Sequence, residues 1–478
     1  MKAFMSARSQ LLPLRRSFSQ FLLSIVYLLI GGGVLEARSE QLETVYPGAL
    51  PADAENVVCP MMQGSNVPLS LASAVDLALC SNAQIRASWA IIREQAAAVG
   101  EARALYWPTL TLSLSELKED TGYPGSKLPT TSQTEHTVYG SLDWRLFDFG
   151  GRAAGRRAAE ATLQAAMASR DAVIQKILSA VINAYFESLT AQAVVRDKAD
   201  EQSVAHDTWA SAQRREEIGR GAQSDTLQAA TALAKVSLDK NRAMGDFNKA
   251  VSNLVYLLGL PPDSPISLPQ DLDQTTGAEE QNLTAWLNEA ERFHPAIVSA
   301  RAALDAARDQ VKVARSSGRP TLDLTANYYQ NGYPYQGLTN TNTNQTTVGL
   351  TITVPIFDGF ATHYKVAAAE ALVKEKEADL DDTEQTTLMG VINAHADAQS
   401  SLRNLRASED LLRAAEEAFE SSQRRYASGA AEIVELLATQ TARADAKGER
   451  VRCVAEWRAA RLTLLASAGR LNRSAVQE

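Results

Sequence analysis

Two kinds of periodicity alternate along this chain, and each occurs twice. From Thr109 to Leu117, Leu110, Leu112 and Leu114 are set against Thr111, Ser113 and Ser115. From Thr137 to Leu146 the alternation places Val138, Leu142, Trp144 and Leu146 to one side. Later, Leu322, Leu324, Ala326 and Tyr328 oppose Asp323, Thr325 and Asn327, and Val348, Leu350, Ile352, Val354 and Ile356 oppose Thr347, Thr351 and Thr353. Period two over such runs predicts strands with one apolar and one polar face. Gly122-Tyr123-Pro124-Gly125 lies between the first two strands, and Gly332-Tyr333-Pro334 with Thr339-Asn340-Thr341-Asn342 between the others. Both are turn compositions.

Between and after the strands the period changes. A helical pattern runs from about Leu69 to Leu105 and is ended by Pro108. From about Gly151 to Ile218 there is no proline, and Ile177, Leu178, Val181, Ile182, Tyr185, Phe186 and Leu189 recur at three-and-four spacing. Ala361 to Ser428 behaves alike, with Leu388, Val391, Ile392, Ala398, Leu402 and Leu405. A helix of that size spans ~100 Å at 1.5 Å per residue. It predicts a coiled coil or a helical tube, with alanine-rich faces permitting close approach. Each long helix stops at a glycine-containing break, Gly219–Ser224 or Ser428–Ala431, and a return helix follows. The prediction is two helical hairpins with tips far from the strands.

The two halves are copies of one unit. Val181-Ile182-Asn183-Ala184 recurs 210 residues later as Val391-Ile392-Asn393-Ala394, and Leu146-Phe147-Asp148 recurs at the same offset as Ile356-Phe357-Asp358. Gly219, Asp225 and Leu227 match Gly429, Glu435 and Leu437 at that offset too, while Pro108-Thr109-Leu110 recurs as Pro320-Thr321-Leu322 at 212. The expected layout is a signal peptide at 1–37 and an N-terminal extension at 38–68. A first repeat covers 69–260, with strands at 109–118 and 136–147 and a hairpin tip near 219–225. A linker covers 261–281, and a second repeat covers 282–472, with strands at 321–330 and 346–356 and a tip near 428–435.

The 478 residues are 45% hydrophobic and 22% charged. The apolar run Phe21–Ile30, after Arg15-Arg16 and before Gly31-Gly32-Gly33, reads as a cleavable secretory signal, with cleavage expected after Ala37. It is too short for a spanning helix, which needs ~20 residues. The net charge is −9, and loss of Lys2, Arg8, Arg15, Arg16 and Glu36 would leave −12. Nucleic acid is disfavoured as a partner, because phosphate contacts need clustered Lys and Arg. In an exported chain Cys59 and Cys80 can form a disulfide, or remain two unpaired thiols. The histidines (His136, His206, His294, His363, His395) have no second ligand at metal spacing. Neither GxSxG nor a P-loop occurs. The acidic pairs Asp381-Asp382 and Glu416-Glu417 read as solvated helix faces. No catalysis and no cofactor are expected.

Strands of roughly ten residues match the ~9–11 of a tilted transmembrane strand. Four of them cannot close, and lipid tolerates no open edge, so the chain must oligomerise if they are inserted. The flanking aromatics Tyr106, Trp107, Trp144, Phe147 and Phe149 favour that over a soluble sheet packed on a helix.

Signal, duplication, the Trp107-Pro108-Thr109-Leu110 and Arg319-Pro320-Thr321-Leu322 starts, the Leu146-Phe147-Asp148 and Ile356-Phe357-Asp358 exits, and the tip segment Arg425-Tyr426-Ala427-Ser428-Gly429 together resemble the TolC family of outer-membrane efflux and secretion proteins. The first copy departs at its tip, where Arg215-Glu216-Glu217-Ile218-Gly219 has Glu in place of the aromatic. The resemblance implies a mainly α protein with a membrane β-barrel portion. It would be a homotrimer whose chains each give four strands to a 12-stranded barrel in outer-membrane lipid, above a coiled-coil helical tunnel in the periplasm. It is strongest to the CyaE-type secretion members, which implies a type I system: a periplasmic adaptor, an inner-membrane ABC exporter and an exported haemolytic toxin.

The family closes its tunnel at the hairpin tips, so the resemblance places a gate at Glu435, Asp225, Ser224 and Tyr426. Ala431 and Ala438 stand where some relatives carry arginine and acid, which implies fewer polar links here. Asp225 and Glu435 also suit the positive end of a helix by ~0.3–1 kcal/mol, a role compatible with the first. Tyr426 reads either as a gate hydrogen-bond donor or as a packed aromatic at a helix end, and the resemblance favours the first. Two other functions stay open. One is the outer-membrane component of a small-molecule efflux pump, and the other is a periplasmic coiled-coil scaffold without a pore.

Overall fold

The structure, a computed structural model, describes residues 68–269 apart from 126 and 128, then 282–330 and 343–471. The expected signal peptide, nearly all of the N-terminal extension with Cys59, most of the linker and the turn at 331–342 lie outside the described residues. The elements are α1 (Leu71–Ser81), α2 (Ala83–Ala104), β1 (Thr109–Thr121), β2 (Thr131–Phe147), α3 (Gly151–Glu217), α4 (Gln223–Leu257), α5 (Leu283–Phe293), α6 (Pro295–Ser316), β3 (Thr321–Gln330), β4 (Asn344–Thr353), α7 (Ala361–Ser428) and α8 (Ile433–Ser467). The halves share one order, and their helices pair in length: 11 and 11, 22 and 22, 67 and 68, 35 and 35 residues.

The expected single helix over 69–105 is two helices. Asn82 breaks it by capping α2, its Oδ1 accepting from Gln84 N at 2.8 Å while Nδ2 donates to Leu257 O at 2.9 Å. A side chain that satisfies the orphan amides of a new helix makes the break cheap. His294 does the same for α6, Nδ1 accepting from Ala296 N at 3.3 Å, with Pro295 at the helix start. Burial pushes the His294 imidazole below its ordinary value, which favours the neutral ring that such an acceptor requires.

The strands form one antiparallel sheet in the order β1-β2-β3-β4. β1 and β2 are longer than expected, and β4 ends at Thr353, not at 356. Pro355 has no N–H for the ladder, so Val354 and Ile356 stand outside it. Cross-strand rows run Leu110–Leu142–Ala326–Val348 and Trp144–Leu324–Leu350. A bulge at Leu146 slips the alternation, so Phe147 and not Leu146 sits opposite Leu322. The apolar face is exposed: Leu114 72%, Val348 69% and Ile352 69%. On the other face Thr137 and Ser141 are buried. Among the described residues, the outer edges of β1 and β4 are unpaired within the chain.

Each sheet half passes into its long helix through two consecutive left-handed residues, Phe149 and Gly150 (φ 52° and 87°) or Gly359 and Phe360 (φ 66° and 65°). Phenylalanine is strained there, and something must hold it. Asp148 Oδ2 accepts from Arg152 N at 2.7 Å, and Asp358 Oδ2 accepts from Thr362 N at 2.8 Å. The first joint is clamped further. The Arg152 guanidinium donates to the carbonyls of Leu105, Arg145 and Leu146 and lies 4.8 Å over the Tyr106 ring. Exposed aromatics crowd this level: Trp107, Phe147, Phe149, Phe357, Phe360 and Tyr364.

The main core lies where α1, α3, α4 and α8 meet around fully buried Ile182, Leu254 and Leu258. A smaller one joins α5, α7 and α8 around Trp286, Val391 and Leu464. Between α6 and α7 runs a ladder at seven-residue steps: Arg301–Glu384 at 2.7 Å, Arg308–Glu377 at 3.3 Å and Arg315–Glu370 at 2.7 Å. The first copy keeps the last rung as Arg103–Glu160 at 3.3 Å. In place of the others it has Trp89 and Ala96 on α2 and Ile174 and Met167 on α3.

Candidate functional site: the hairpin tips

Glycine ends both long helices because the chain must turn through a left-handed residue there: Gly219 has φ 70° and Gly429 φ 80°. At the second tip Ala430 N donates to Arg425 O at 2.9 Å and Gly429 N to Tyr426 O at 3.1 Å, which satisfies the last carbonyls of α7. Asp225 and Glu435 each fall in the first turn of the return helix.

The structure divides the expected residues into two groups. Glu435 pairs within its own hairpin: Arg425 Nη1 donates to Glu435 Oε1 at 2.5 Å, and both side chains are exposed. Tyr426 is buried, packed with Phe419, Ile433 and Leu436 and against Val204 of α3. It is also where the two hairpins are tied. Arg215, at the end of α3, donates from Nη2 to the carbonyls of Tyr426 (2.7 Å) and Ala427 (3.1 Å), with its guanidinium 4.3 Å over the Tyr426 ring. Burial raises the Tyr426 phenol above its ordinary value; Arg215 pulls it down and the carboxylate of Asp225 pushes it up. Asp225 is thus within electrostatic reach of Tyr426, while Ser224 Oγ contacts Asp225 Oδ1 at 3.3 Å. Arg215 and Arg425 were absent from the expected set. Their signal was available, since they occupy equivalent positions 210 residues apart.

Beside the tips, α4 and α8 leave a groove of about 500 Å³ lined by Leu227, Val434, Leu437 and Ala438 with Gln228, Thr231 and Thr441. Leu227 and Val434 are more than half exposed there. Farther along, a cavity of about 650 Å³ between α3 and α8 holds Asp197, whose Oδ2 is buried without a hydrogen-bond partner. Burial pushes its carboxyl up, partly offset by Lys447. A raised folded-state value means that stability falls as pH rises from 3.8 through that value and stays lower above it. Asp197→Asn is therefore expected to raise the thermal midpoint at neutral pH and to give no gain near pH 3. Melting curves at both values check it, and an unchanged midpoint at neutral pH would refute it.

Cys80 is in a disulfide and Cys453 is a buried free thiol; the expected partner, Cys59, lies outside the described residues. Among the described residues no group of His, Cys, Asp and Glu could hold a metal ion, and no helix is long and apolar enough to cross a membrane.

A model of the outer membrane efflux protein family matches residues 74–260 and 286–470, one match for each repeat. The chain is 34% identical to Protein CyaE of Bordetella pertussis over 94% of both chains. It is 23% identical to the proteases secretion protein PrtF of Dickeya chrysanthemi, over 87% of this chain and 91% of that one. The solved outer membrane protein VceC of Vibrio cholerae superposes with a TM-score of 0.73 at 21% identity, covering 84% of this chain and 96% of that one.

Proposed function

Since the chain belongs to the outer membrane efflux protein family, and so is a transport duct of the cell outer membrane and not an enzyme, we propose that it is the outer-membrane channel of a type I secretion system. Three chains supply twelve strands to one barrel, and their hairpins form a tunnel through the periplasm. The observation that carries this is the sheet with two free edges and an exposed apolar face, joined to helices of about 100 Å. Side by side, three such sheets satisfy every edge in lipid. The secretion reading draws support from relatives named for CyaE and for protease secretion. A protein toxin is the proposed cargo.

Transport through the duct is passive, powered by an inner-membrane ABC exporter and coupled through a periplasmic adaptor. The apolar groove between α4 and α8 offers the adaptor a surface. The gate is built from Tyr426, Asp225, Ser224 and Glu435, with Arg215 tying the hairpins across it. Prying the tips apart breaks that tie.

The test is a deletion strain assayed for secreted protein and for sensitivity to small toxic compounds. Loss of one major secreted protein with unchanged sensitivity supports the reading. Full-rate secretion with new sensitivity would replace it with the efflux alternative.

A further inference from the structure

Tyr139 and Tyr329 stand directly opposite each other across the β2–β3 ladder. Their rings stack with centroids 5.0 Å apart and planes 25° from parallel. The Tyr139 hydroxyl donates to Asn327 Oδ1 at 3.1 Å, which fixes the ring. Both side chains are only partly buried. Register and alternation put them on the polar face, with Ser113 and Gln345 in the same row and Ser141, Asn327 and Thr347 in the next. With the leucine rows toward lipid, that face lines the lumen.

Across the rows from Thr111 to Ser115 the lumenal wall is otherwise hydroxyl and amide. Of the charges, Asp143, Arg145 and Asp323 lie at the helix-proximal end of the strands, Glu119 and Glu135 take register positions of the same parity near the β1–β2 turn, and Arg145 and Asp323 neutralise each other at 2.9 Å. The rows around Tyr139 and Tyr329 carry no charge and grip neither sign. The tyrosine pair is the one large apolar surface of these rows. A cross-strand aromatic pair stabilises a sheet on either face. On the lipid face its carbon would also be removed from water, whereas here part of it stays wet. Sheet stability alone does not account for the placement.

We propose that this stacked pair is a contact platform for unfolded polypeptide in transit, taking the aromatic side chains and peptide planes of the cargo by stacking. Three chains place six such rings around the lumen at one level. The proposal rests on the duct reading and deepens it, because it names an extended polypeptide as what the lumen touches.

The experiment uses the full-length oligomer in planar bilayers and two water-soluble unfolded Gly/Ser-rich peptides, one carrying regularly spaced Phe and the other Leu at the same positions. Current blocks by the Phe peptide are expected to last roughly threefold to tenfold longer, as aromatic pairing beyond area burial implies. The double variant Tyr139→Leu with Tyr329→Leu removes the difference at unchanged open-channel conductance, and the double Phe variant keeps it. Equal block times for both peptides on the unaltered protein overturn the platform without a mutant, and so does a difference that survives in the leucine variant. Tyrosine-dependent blocks by maltohexaose but not by the Phe peptide would make it a sugar site and overturn the polypeptide assignment. Normal conductance without peptide discrimination rejects the platform alone, whereas a well-folded oligomer with no conductance rejects the duct and the platform together.

Discussion

Arg215→Ala is expected to raise the mean conductance of the purified oligomer about tenfold or more, a larger change than any single substitution at the acidic tip residues. Arg215 makes two hydrogen bonds to the last carbonyls of α7 and covers the Tyr426 ring. A charged hydrogen bond contributes about 1.5–3 kcal/mol and a cation over a ring about 0.5–2 kcal/mol. Discounted because Arg215 is only half-buried, the tie is worth about 2 kcal/mol per chain, or roughly thirtyfold in the closed-to-open ratio. Glu435 differs. Its partner Arg425 lies in the same hairpin and both are exposed, so that pair adds about 0–1 kcal/mol and does not hold two hairpins together. Glu435→Ala is accordingly expected to change ion selectivity more than open probability. Arg215→Lys, which keeps the charge and loses the planar fork, should fall between wild type and Arg215→Ala. Single-channel recording ranks the variants. An unchanged Arg215→Ala, or a Glu435→Ala that opens more readily, would remove Arg215 from the gate.

Val348→Arg is expected to abolish the heat-stable oligomer. Val348 sits midway along β4 in the row with Leu110, Leu142 and Ala326, and 69% of it is exposed. An arginine on the lipid face near the bilayer midplane costs about 2–4 kcal/mol, and in the proposed trimer each of three chains would bear it. Thr347→Arg is the control. It lies one residue away on the opposite face, opposite Asn327, where water accommodates the charge. Electrophoresis of membrane extracts with and without heating separates the two. If both substitutions were tolerated, the outward assignment of the leucine rows would fail.

How much of this was legible in the sequence depends on how local the cause is. Period two at Leu110 to Ser115 and period 3.6 at Ile177 to Leu189 each express a neighbourhood of a few residues, and both elements stand where they were expected. The early start of β2 was hidden because Thr131-Ser132-Gln133-Thr134-Glu135 has no apolar alternation to read. At β4 the alternation in Val354-Pro355-Ile356 outlasts the ladder, since side-chain pattern continues where the backbone donor is missing. The break at Asn82 combines a local cap, two residues long, with a bond to a carbonyl of Leu257, 175 residues away. At the tips, the pair Arg425–Glu435 is ten residues apart and was within reach of inspection. Arg215 and Tyr426 are separated by 211, and only the packing of one hairpin on the other brings them together.

The unequal seams left by duplication carry one last consequence. The second copy fastens α6 to α7 with three solvent-exposed ion pairs, whereas the first fastens α2 to α3 with one ion pair and largely apolar side chains. Screening length contracts from about 8 Å at physiological salt to about 3 Å at 1 M, and kosmotropic salts strengthen apolar burial. A rising concentration of a kosmotropic salt such as sulfate therefore slackens one seam of each subunit as it tightens the other. Around the proposed trimer, yielding and stiff staves would alternate, and compliance would become a threefold property that the ionic surroundings set.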